Sequence, residues 1–152
     1  MKKFFLTLVC AIFAFLPMGA QTTMNDNGDN LIGEYQGSQE GYLFRTRVTK
    51  KTDGTYKIQV SWMQNDKDAN GNKLLDIKNP DKSLRNTPSD RIVIVDGLKY
   101  NAKKKRWDDA KIYDPTRGIK AKCTAQFSKD DELKIRGSVM GIGETVTWKK
   151  IK

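Results

Sequence analysis

The chain has 152 residues, with 28 Lys or Arg, 18 Asp or Glu and no His, and its net charge at pH 7 is +10. A length of this size indicates one domain. Because histidine is absent, the sequence excludes Ser-His-Asp triads, Cys-His nucleophile pairs and histidine-containing zinc sites.

The N-terminus has the pattern of a secretory signal peptide. Lys2 and Lys3 precede an apolar run over residues 4–16, which is too short to span a membrane. We predict that residues 1–20 form a signal peptide cleaved after Ala20, and that the mature chain is exported to the periplasm or the exterior without a transmembrane segment. Loss of both lysines leaves 26 basic and 18 acidic residues, a net charge of +8.

Residues 21–30, QTTMNDNGDN, are polar and show no periodicity, which predicts a flexible leader. A single folded domain is expected over residues 31–152. After removal of residues 1–20, Cys123 has no cysteine to pair with, so we expect no disulfide within the chain and a buried, unreactive thiol.

From residue 31 onward the sequence alternates with period two, as β-strands do. The stretch 55–63, TYKIQVSWM, places Tyr56, Ile58, Val60 and Trp62 on one face. The apolar run 91–95 predicts another strand, and Asp96-Gly97 after it predicts a turn. Similar strand patterns follow to the end of the chain.

A long polar stretch, residues 65–90, separates two of these strands. It begins with DKDANG, which places Asp66, Asp68, Asn70 and Gly71 at the first positions of an EF-hand-like calcium loop. The twelfth position is Ile77 instead of a bidentate glutamate. We therefore favour a solvated turn over a calcium site.

The second half of this stretch is DIKNPDKSLR, with Asp76, Asn79, Asp81 and Arg85 around Pro80. Polar groups on a rigid turn can bond backbone donors, so one interpretation is a structural plug over one mouth of the fold. The alternative is that Arg85 and Arg136 form a clamp for a carboxylate or phosphate.

Two further stretches contain charged side chains. IYDPTRG predicts a turn capped by Asp114, and the alternative is a carboxylate pair of Asp114 with Asp108 or Asp109, as glycoside hydrolysis would need. Lys99 and the run 103–106 form a basic hairpin tip, which is typical of a solvated face and could attract an anionic envelope surface.

Eight or nine short strands with tight turns predict an all-β, antiparallel up-and-down barrel of about eight strands. Closure removes unpaired strand edges, and an eight-stranded barrel has room for side chains or for one small ligand.

Several motifs together span residues 31–148: LIGEYQG, LLDIKNPDKSLRN, IVIVDGLKY, IYDPTRG, LKIRGSVMGIG and ETVTW. Their order and spacing match those of a known bacterial family. With them the chain resembles the bacterial family of domain of unknown function 2147. The resemblance implies a lipocalin-like barrel and no particular activity. Asp109, Ala110, Ala121 and Glu144 depart from the family pattern.

The leading hypothesis is noncatalytic binding of a small hydrophobic or anionic ligand in the barrel, or of an envelope component, with no catalytic residue, metal or cofactor. The alternative is a carboxylate-dependent hydrolase of envelope glycans. No nucleic-acid partner is expected, because no recognised module with stacking aromatic residues is present. The predicted ligand-binding residues are Tyr35, Trp62, Asp76, Asn79, Asp81, Arg85, Trp107, Tyr113, Asp114, Arg136 and Trp148.

Overall fold

The computed structural model describes residues 22–152, and the predicted signal peptide lies outside them. Eight antiparallel strands, each paired with its neighbour in chain order, form a barrel that closes where the last strand pairs with the first. The strands are β1 (Gly33–Gln39), β2 (Tyr42–Lys50), β3 (Tyr56–Met63), β4 (Val93–Asn101), β5 (Arg106–Asp114), β6 (Ile119–Phe127), β7 (Leu133–Val139) and β8 (Ile142–Lys150). Short 3-10 helices cover Gly28–Leu31, Lys82–Leu84 and Ser89–Arg91. The predicted all-β, up-and-down barrel is confirmed.

Within the described part of the chain, no helix is both long enough and apolar enough to cross a membrane.

The two ends of the barrel are built differently. The end that we call the closed end carries the segment 22–32 and the turns at 51–55, 102–105 and 128–132. The other end, the open end, carries the turns at 40–41, 115–118 and 140–141 and the long excursion over residues 64–92.

The segment 22–32 covers the closed end through hydrogen bonds to distant residues. The Asn25 side-chain amide donates to the Phe127 carbonyl oxygen at 2.8 Å, and its own carbonyl oxygen accepts from Phe127 N at 2.8 Å. Trp107 Nε1 donates to the Gly28 carbonyl oxygen at 3.1 Å. The sequence predicted a flexible leader here. These residues pack instead, because Asn25 bonds backbone groups of Phe127 that lie beyond the last pair of β5 with β6, Trp107 with Ala125.

Large side chains fill the half of the barrel next to the closed end. Tyr35 and Trp107 are fully buried, and the Phe127 ring lies 5.7 Å from the Trp107 ring in an edge-to-face arrangement. The Tyr35 hydroxyl donates to the Leu31 carbonyl oxygen at 2.8 Å, and burial raises the pKa of Tyr35. This half is a packed core.

The predicted face of Trp62 is wrong, because β3 contains a bulge just before this residue. Arg45 pairs with Trp62 while Thr46 pairs with Val60, so Ser61 is an extra residue in β3. One inserted residue moves the following side chain to the other face of the sheet. Trp62 is therefore 40 % exposed, unlike Val60, and its ring lies 5.1 Å from the Arg45 guanidinium carbon.

The predicted turn at Asp96-Gly97 is also wrong, because β4 continues through both residues. Tyr56 pairs with Leu98 and Ile58 with Val95, so β4 has one residue more than β3 over this stretch. Gly97 has φ +80°, a conformation that glycine adopts without a steric cost. The glycine allows a bulge within a strand and not a chain reversal.

Candidate functional site

The half of the barrel next to the open end is hollow. It contains a cavity of about 860 Å³ that reaches the surface between the turns of the open end. Its interior lining is largely apolar: Phe44, Val60, Met63, Ile92, Ile94, Ile112, Ala121, Ile135, Gly137, Val146 and Trp148.

The cavity exists because small residues occupy inward positions in this half. Gly137 and Ala121 line the wall, where the other half of the barrel has Leu133, Phe127 and Trp107. Val146 pairs with the fully buried Ile135 and so shares its inward face, yet Val146 is 43 % exposed. That exposure is to the cavity.

Trp148 and Phe44 meet where the hollow half adjoins the packed half. Their ring centroids are 5.6 Å apart and their planes nearly perpendicular, an arrangement that aromatic pairs favour. Gly37, which pairs with Phe44, makes this contact possible. A β-carbon at Gly37 would lie 2.6 Å from both rings, too close for any side chain.

Charged side chains border the mouth of the cavity. Arg117 lies between two carboxylates, with its Nε 3.3 Å from Asp114 Oδ2 and a terminal nitrogen 3.4 Å from Glu144 Oε2. Glu40 is the fourth charged residue of the lining. The lining thus has three acidic groups and one basic group, although the described chain has an excess of basic residues.

The excursion is attached to the barrel wall by a buried polar cluster. The Tyr113 hydroxyl donates to Asp76 Oδ1 at 2.6 Å, and Asn79 Nδ2 donates to Asp76 Oδ2 at 2.7 Å. Asp76 and Asn79 are almost fully buried. Burial, and then the neighbouring Asp76 carboxylate, raise the pKa of Tyr113.

Asp81 and Arg85 shape the same part of the excursion. Asp81 N donates to Asn79 Oδ1 at 2.9 Å, and Arg85 Nε donates to the Asn79 carbonyl oxygen at 2.8 Å. The Asp81 carboxylate accepts from the Ser83 hydroxyl and backbone N–H, and both bonds lower the pKa of Asp81. These side chains therefore hold the excursion in its conformation.

The excursion stands beside the mouth and leaves it open. Lys78 Nζ donates to the Thr116 carbonyl oxygen at 2.6 Å, which ties the excursion to the turn between β5 and β6. None of residues 64–88 belongs to the cavity lining. The excursion is therefore a lateral brace and not the plug that the sequence suggested.

The structure brings three of the predicted ligand-binding residues to the cavity: Tyr113, Asp114 and Trp148. Tyr35 and Trp107 belong to the packed half, and Trp62 lies on the outer surface. Asp76, Asn79, Asp81 and Arg85 hold the excursion, as described above.

The arginine clamp does not form. Arg136 follows the inward-facing Ile135 and is exposed on the outside of β7, where it donates to the Gly143 carbonyl oxygen at 3.5 Å. Arg85 is bonded to the excursion's own backbone. The two guanidinium groups do not share a site.

Apart from Trp148, the apolar lining residues were not predicted as site residues, although the alternation of the strands places most of them inward. The sequence feature that could have identified them is a small inward-facing residue paired with a larger one on the next strand, such as Ala121 with Ile112. That signal indicates empty space only when the strand register is known.

The carboxylates suggested for glycoside hydrolysis are far apart. Asp108 pairs with Arg106 at 3.0 Å and Asp109 pairs with Lys99 at 2.7 Å, both near the closed end. Asp114 lies at the other end of β5, and five residues of strand span ~16 Å. Glycosidases need separations of about 5–9.5 Å, so Asp114 cannot form such a pair with Asp108 or Asp109.

The carboxylates of the calcium-like loop are engaged in ion pairs and in hydrogen bonds with backbone amides. Lys73 Nζ is paired with Asp66 and lies 2.7 Å from Asp90 Oδ2. Asp68 Oδ1 accepts from the backbone N–H of Asn70 at 2.8 Å. Across residues 22–152, no group of three acidic, cysteine or histidine side chains is arranged to hold a metal ion.

The basic tip lies at the closed end, away from the cavity. Lys105 Nζ lies 2.7 Å from Asp26 Oδ1, and Lys99 and Arg106 are paired with the neighbouring carboxylates of β5. These ion pairs offset part of the positive charge of the tip.

Comparison with known proteins agrees with this architecture. Among solved structures, the chain is similar to protein HP1028 from the human pathogen Helicobacter pylori, described as belonging to the lipocalin family, with a TM-score of 0.64 and 22 % identity over 80 % of this chain and 83 % of that chain. At this identity the likeness shows the fold, a lipocalin-like barrel. No curated protein matches the chain. A family model described as an uncharacterized protein conserved in bacteria (DUF2147) matches residues 33–150, which is most of the chain, and the protein therefore belongs to the DUF2147 family.

Proposed function

We propose that the protein binds a small, largely apolar molecule in the cavity of its open half and performs no catalysis on it. The observation that supports this proposal is the cavity itself, about 860 Å³ in volume, apolar in its interior and open at one end. Ligand pockets commonly have volumes of about 300–1,000 Å³, apolar walls and a few polar groups that orient the ligand.

The charges at the mouth favour one kind of polar end on the ligand. Arg117 is already paired with Asp114 and Glu144, and Glu40 adds a further carboxylate. An anionic group placed there would meet more negative than positive charge. We therefore infer that the bound molecule has a neutral or cationic polar end, in preference to an anionic one.

The proposal extends to the compartment. Lys2, Lys3 and the apolar run 4–16 have the character of an export signal, which supports a role in the periplasm or outside the cell.

A variant that fills the cavity tests the proposal. Val146→Phe adds volume on the cavity wall, and Val93→Phe makes the same change at an exposed position outside the lining. We expect the fluorescence of the neutral probe N-phenyl-1-naphthylamine to rise with the unaltered protein. Val146→Phe should weaken probe binding at least ~10-fold, and Val93→Phe should leave it unchanged. Equal binding by all three proteins would show that the probe lies elsewhere and would refute the proposal.

A further inference from the structure

The outer face of strands β6, β7 and β8 carries basic and uncharged polar side chains. Residues that alternate with the buried Cys123, Ile135 and Trp148 point outward, away from the core. None of these outward residues of the three strands is acidic, aromatic or a large apolar residue. Together with Lys111 of the adjoining β5 they supply six exposed cations, which we call the basic face: Lys111, Lys120, Lys122, Lys134, Arg136 and Lys149.

The cations of the basic face have no carboxylate partners. Within the described part of the chain, none of the six lies in an ion pair. At the basic tip, by contrast, Lys99, Lys105 and Arg106 are each paired with a carboxylate. The uncompensated positive charge therefore lies on the wall of the barrel, and the hairpin tip that the sequence singled out is largely neutralised.

Two carboxylates border the basic face, and both are engaged by other groups. Asp81 lies near Lys120, but its carboxylate accepts hydrogen bonds from within the excursion. Asp109 lies near Lys122, but its Oδ2 is 2.7 Å from Lys99 Nζ. Neither carboxylate forms an ion pair with the face itself.

The strand register arranges four of these cations in a row. Lys111 and Lys122 are paired directly across β5 and β6, and like charges at such a position destabilise a sheet. Lys122 also pairs with Ser138 on β7, and Arg136 is the next outward residue from Ser138, a diagonal separation of ~7–8 Å. Lys134 continues the row along β7. A chain of anionic groups lying along this row would replace the repulsion between the cations with attraction.

Uncharged hydrogen-bonding groups flank the row on neighbouring strands. Arg136 pairs with Thr124 on one side and with Thr145 on the other. The uncharged polar side chains next to the cations are Thr124, Gln126, Ser138, Thr145 and Thr147. Each of them can both donate and accept hydrogen bonds, as the hydroxyl groups of sugars do. The basic face thus offers partners for anionic groups and for hydroxyl groups side by side.

We propose that the basic face binds an acidic polysaccharide, an extended polymer of sugars that carry carboxylate groups, along the row from Lys111 to Lys134. The cations contact the carboxylates, and the flanking hydroxyl and amide groups contact the sugar hydroxyls. Single-stranded nucleic acid binds through aromatic side chains that stack on its bases, and bilayers through inserted apolar side chains. The outward residues of β6–β8 include neither kind. The site lies outside the barrel and does not depend on the cavity.

Calorimetric titration with polygalacturonate, a polymer of carboxylated sugars, tests this proposal, using the chain from Gln21, which retains every described contact. The fully methyl-esterified polymer is the matched ligand, because it has the same backbone without the charges. The face variant carries Lys122→Gln, Lys134→Gln and Arg136→Gln. The control variant loses the same net charge at three exposed positions elsewhere, with Lys67→Gln, Lys103→Gln and Lys104→Gln. None of the six positions lines the cavity.

We expect the unaltered protein to bind polygalacturonate, to bind it more weakly as salt rises, and not to bind the methyl ester. The face variant should weaken binding ~10-fold or more, because three charge contacts are lost. The control variant should stay within about twofold, since distant charges are screened. Because Lys122→Gln removes the like charge opposite Lys111, the face variant should melt no lower than the unaltered protein.

Four results would overturn the proposal. The first is an absence of binding to polygalacturonate, and the second is equal binding of the methyl ester. The third is an equal loss in the face and control variants, because net charge alone would then explain the binding. The fourth is tighter binding of oligothymidine or of phosphatidylglycerol vesicles that the face variant loses, because the face would then recognise a nucleic acid or a bilayer.

Discussion

At the scale of single residues, buried polar groups account for how a long polar excursion keeps a defined position. Asp76 lies near the centre of residues 64–92 and is almost fully buried, with one carboxylate oxygen bonded to Tyr113 and the other to Asn79. A buried carboxylate without such donors would be costly. The excursion is therefore held largely by hydrogen bonds, and its apolar residues Leu74, Leu75, Ile77 and Leu84 remain exposed.

Removing the Tyr113 hydroxyl should weaken this attachment. In Tyr113→Phe, one oxygen of the buried Asp76 loses its donor, which we expect to lower the free energy of unfolding by about 1–3 kcal/mol. Urea denaturation followed by circular dichroism measures this change. Tyr42→Phe, at a half-exposed position, should cost almost nothing. Equal stability of the two variants would contradict the role assigned to the hydroxyl.

At the scale of elements, the strands were predictable and the irregularities were not. Alternating apolar residues and turn residues identify strands from local sequence, and the structure confirms an eight-stranded barrel. The bulge at Ser61, which turns Trp62 outward, depends on the register with β2 and leaves no local signal. The same is true of the excursion: its polar residues predicted a turn but not which wall it would contact.

The N-terminal segment is the clearest case in which local sequence alone does not predict the structure. Residues 21–30 have the composition of a flexible leader, and Asn25 acquires its role only from Phe127, which is 102 positions away in the chain. The sequence also predicted Tyr35 and Trp107 as ligand-binding residues, because local sequence does not show that their half of the barrel is filled. Which half of a barrel is filled depends on which end is covered, and contacts over this distance decide that.

The role of Asn25 in holding the N-terminal segment over the closed end can be tested by mutation. Asn25→Ala leaves a buried N–H and a buried carbonyl of Phe127 without partners, so we expect a loss of ~3 kcal/mol in unfolding free energy. Hydrogen exchange should also accelerate at Phe127. Asn70→Ala, in an exposed turn, is the matched control and should change neither measurement. A stability loss in both variants alike would argue against a specific role for Asn25.

At the scale of the whole molecule, the barrel combines a packed half with a hollow half. The packed half supplies stability, and burial there penalises the charged forms of two ionisable groups, Cys123 and Tyr35. Burial raises the pKa of the Cys123 thiol to about 12 from an ordinary value of 9.0, and it also raises the pKa of Tyr35. We therefore expect the fold to lose stability at alkaline pH.

The direction of this pH dependence follows from the two pKa values of Cys123. Below pH 9 the thiol is protonated in both states, so its contribution to stability is complete; between about 9 and 12 it ionises in the unfolded chain only, and stability falls. At pH 10 the loss from this group should be on the order of 1 kcal/mol. Thermal melts from pH 7 to pH 11 measure it. In Cys123→Ala the decline should be shallower between pH 9 and pH 10, and an unchanged slope would show that this thiol is not responsible.

The contact between Trp148 and Phe44, above the core formed by Tyr35, Trp107 and Phe127, gives the hollow half a solid floor. A molecule bound in the cavity must therefore enter and leave through the open end of the barrel. If the proposed binding function holds, loading and release of the ligand take place at the same end of the barrel.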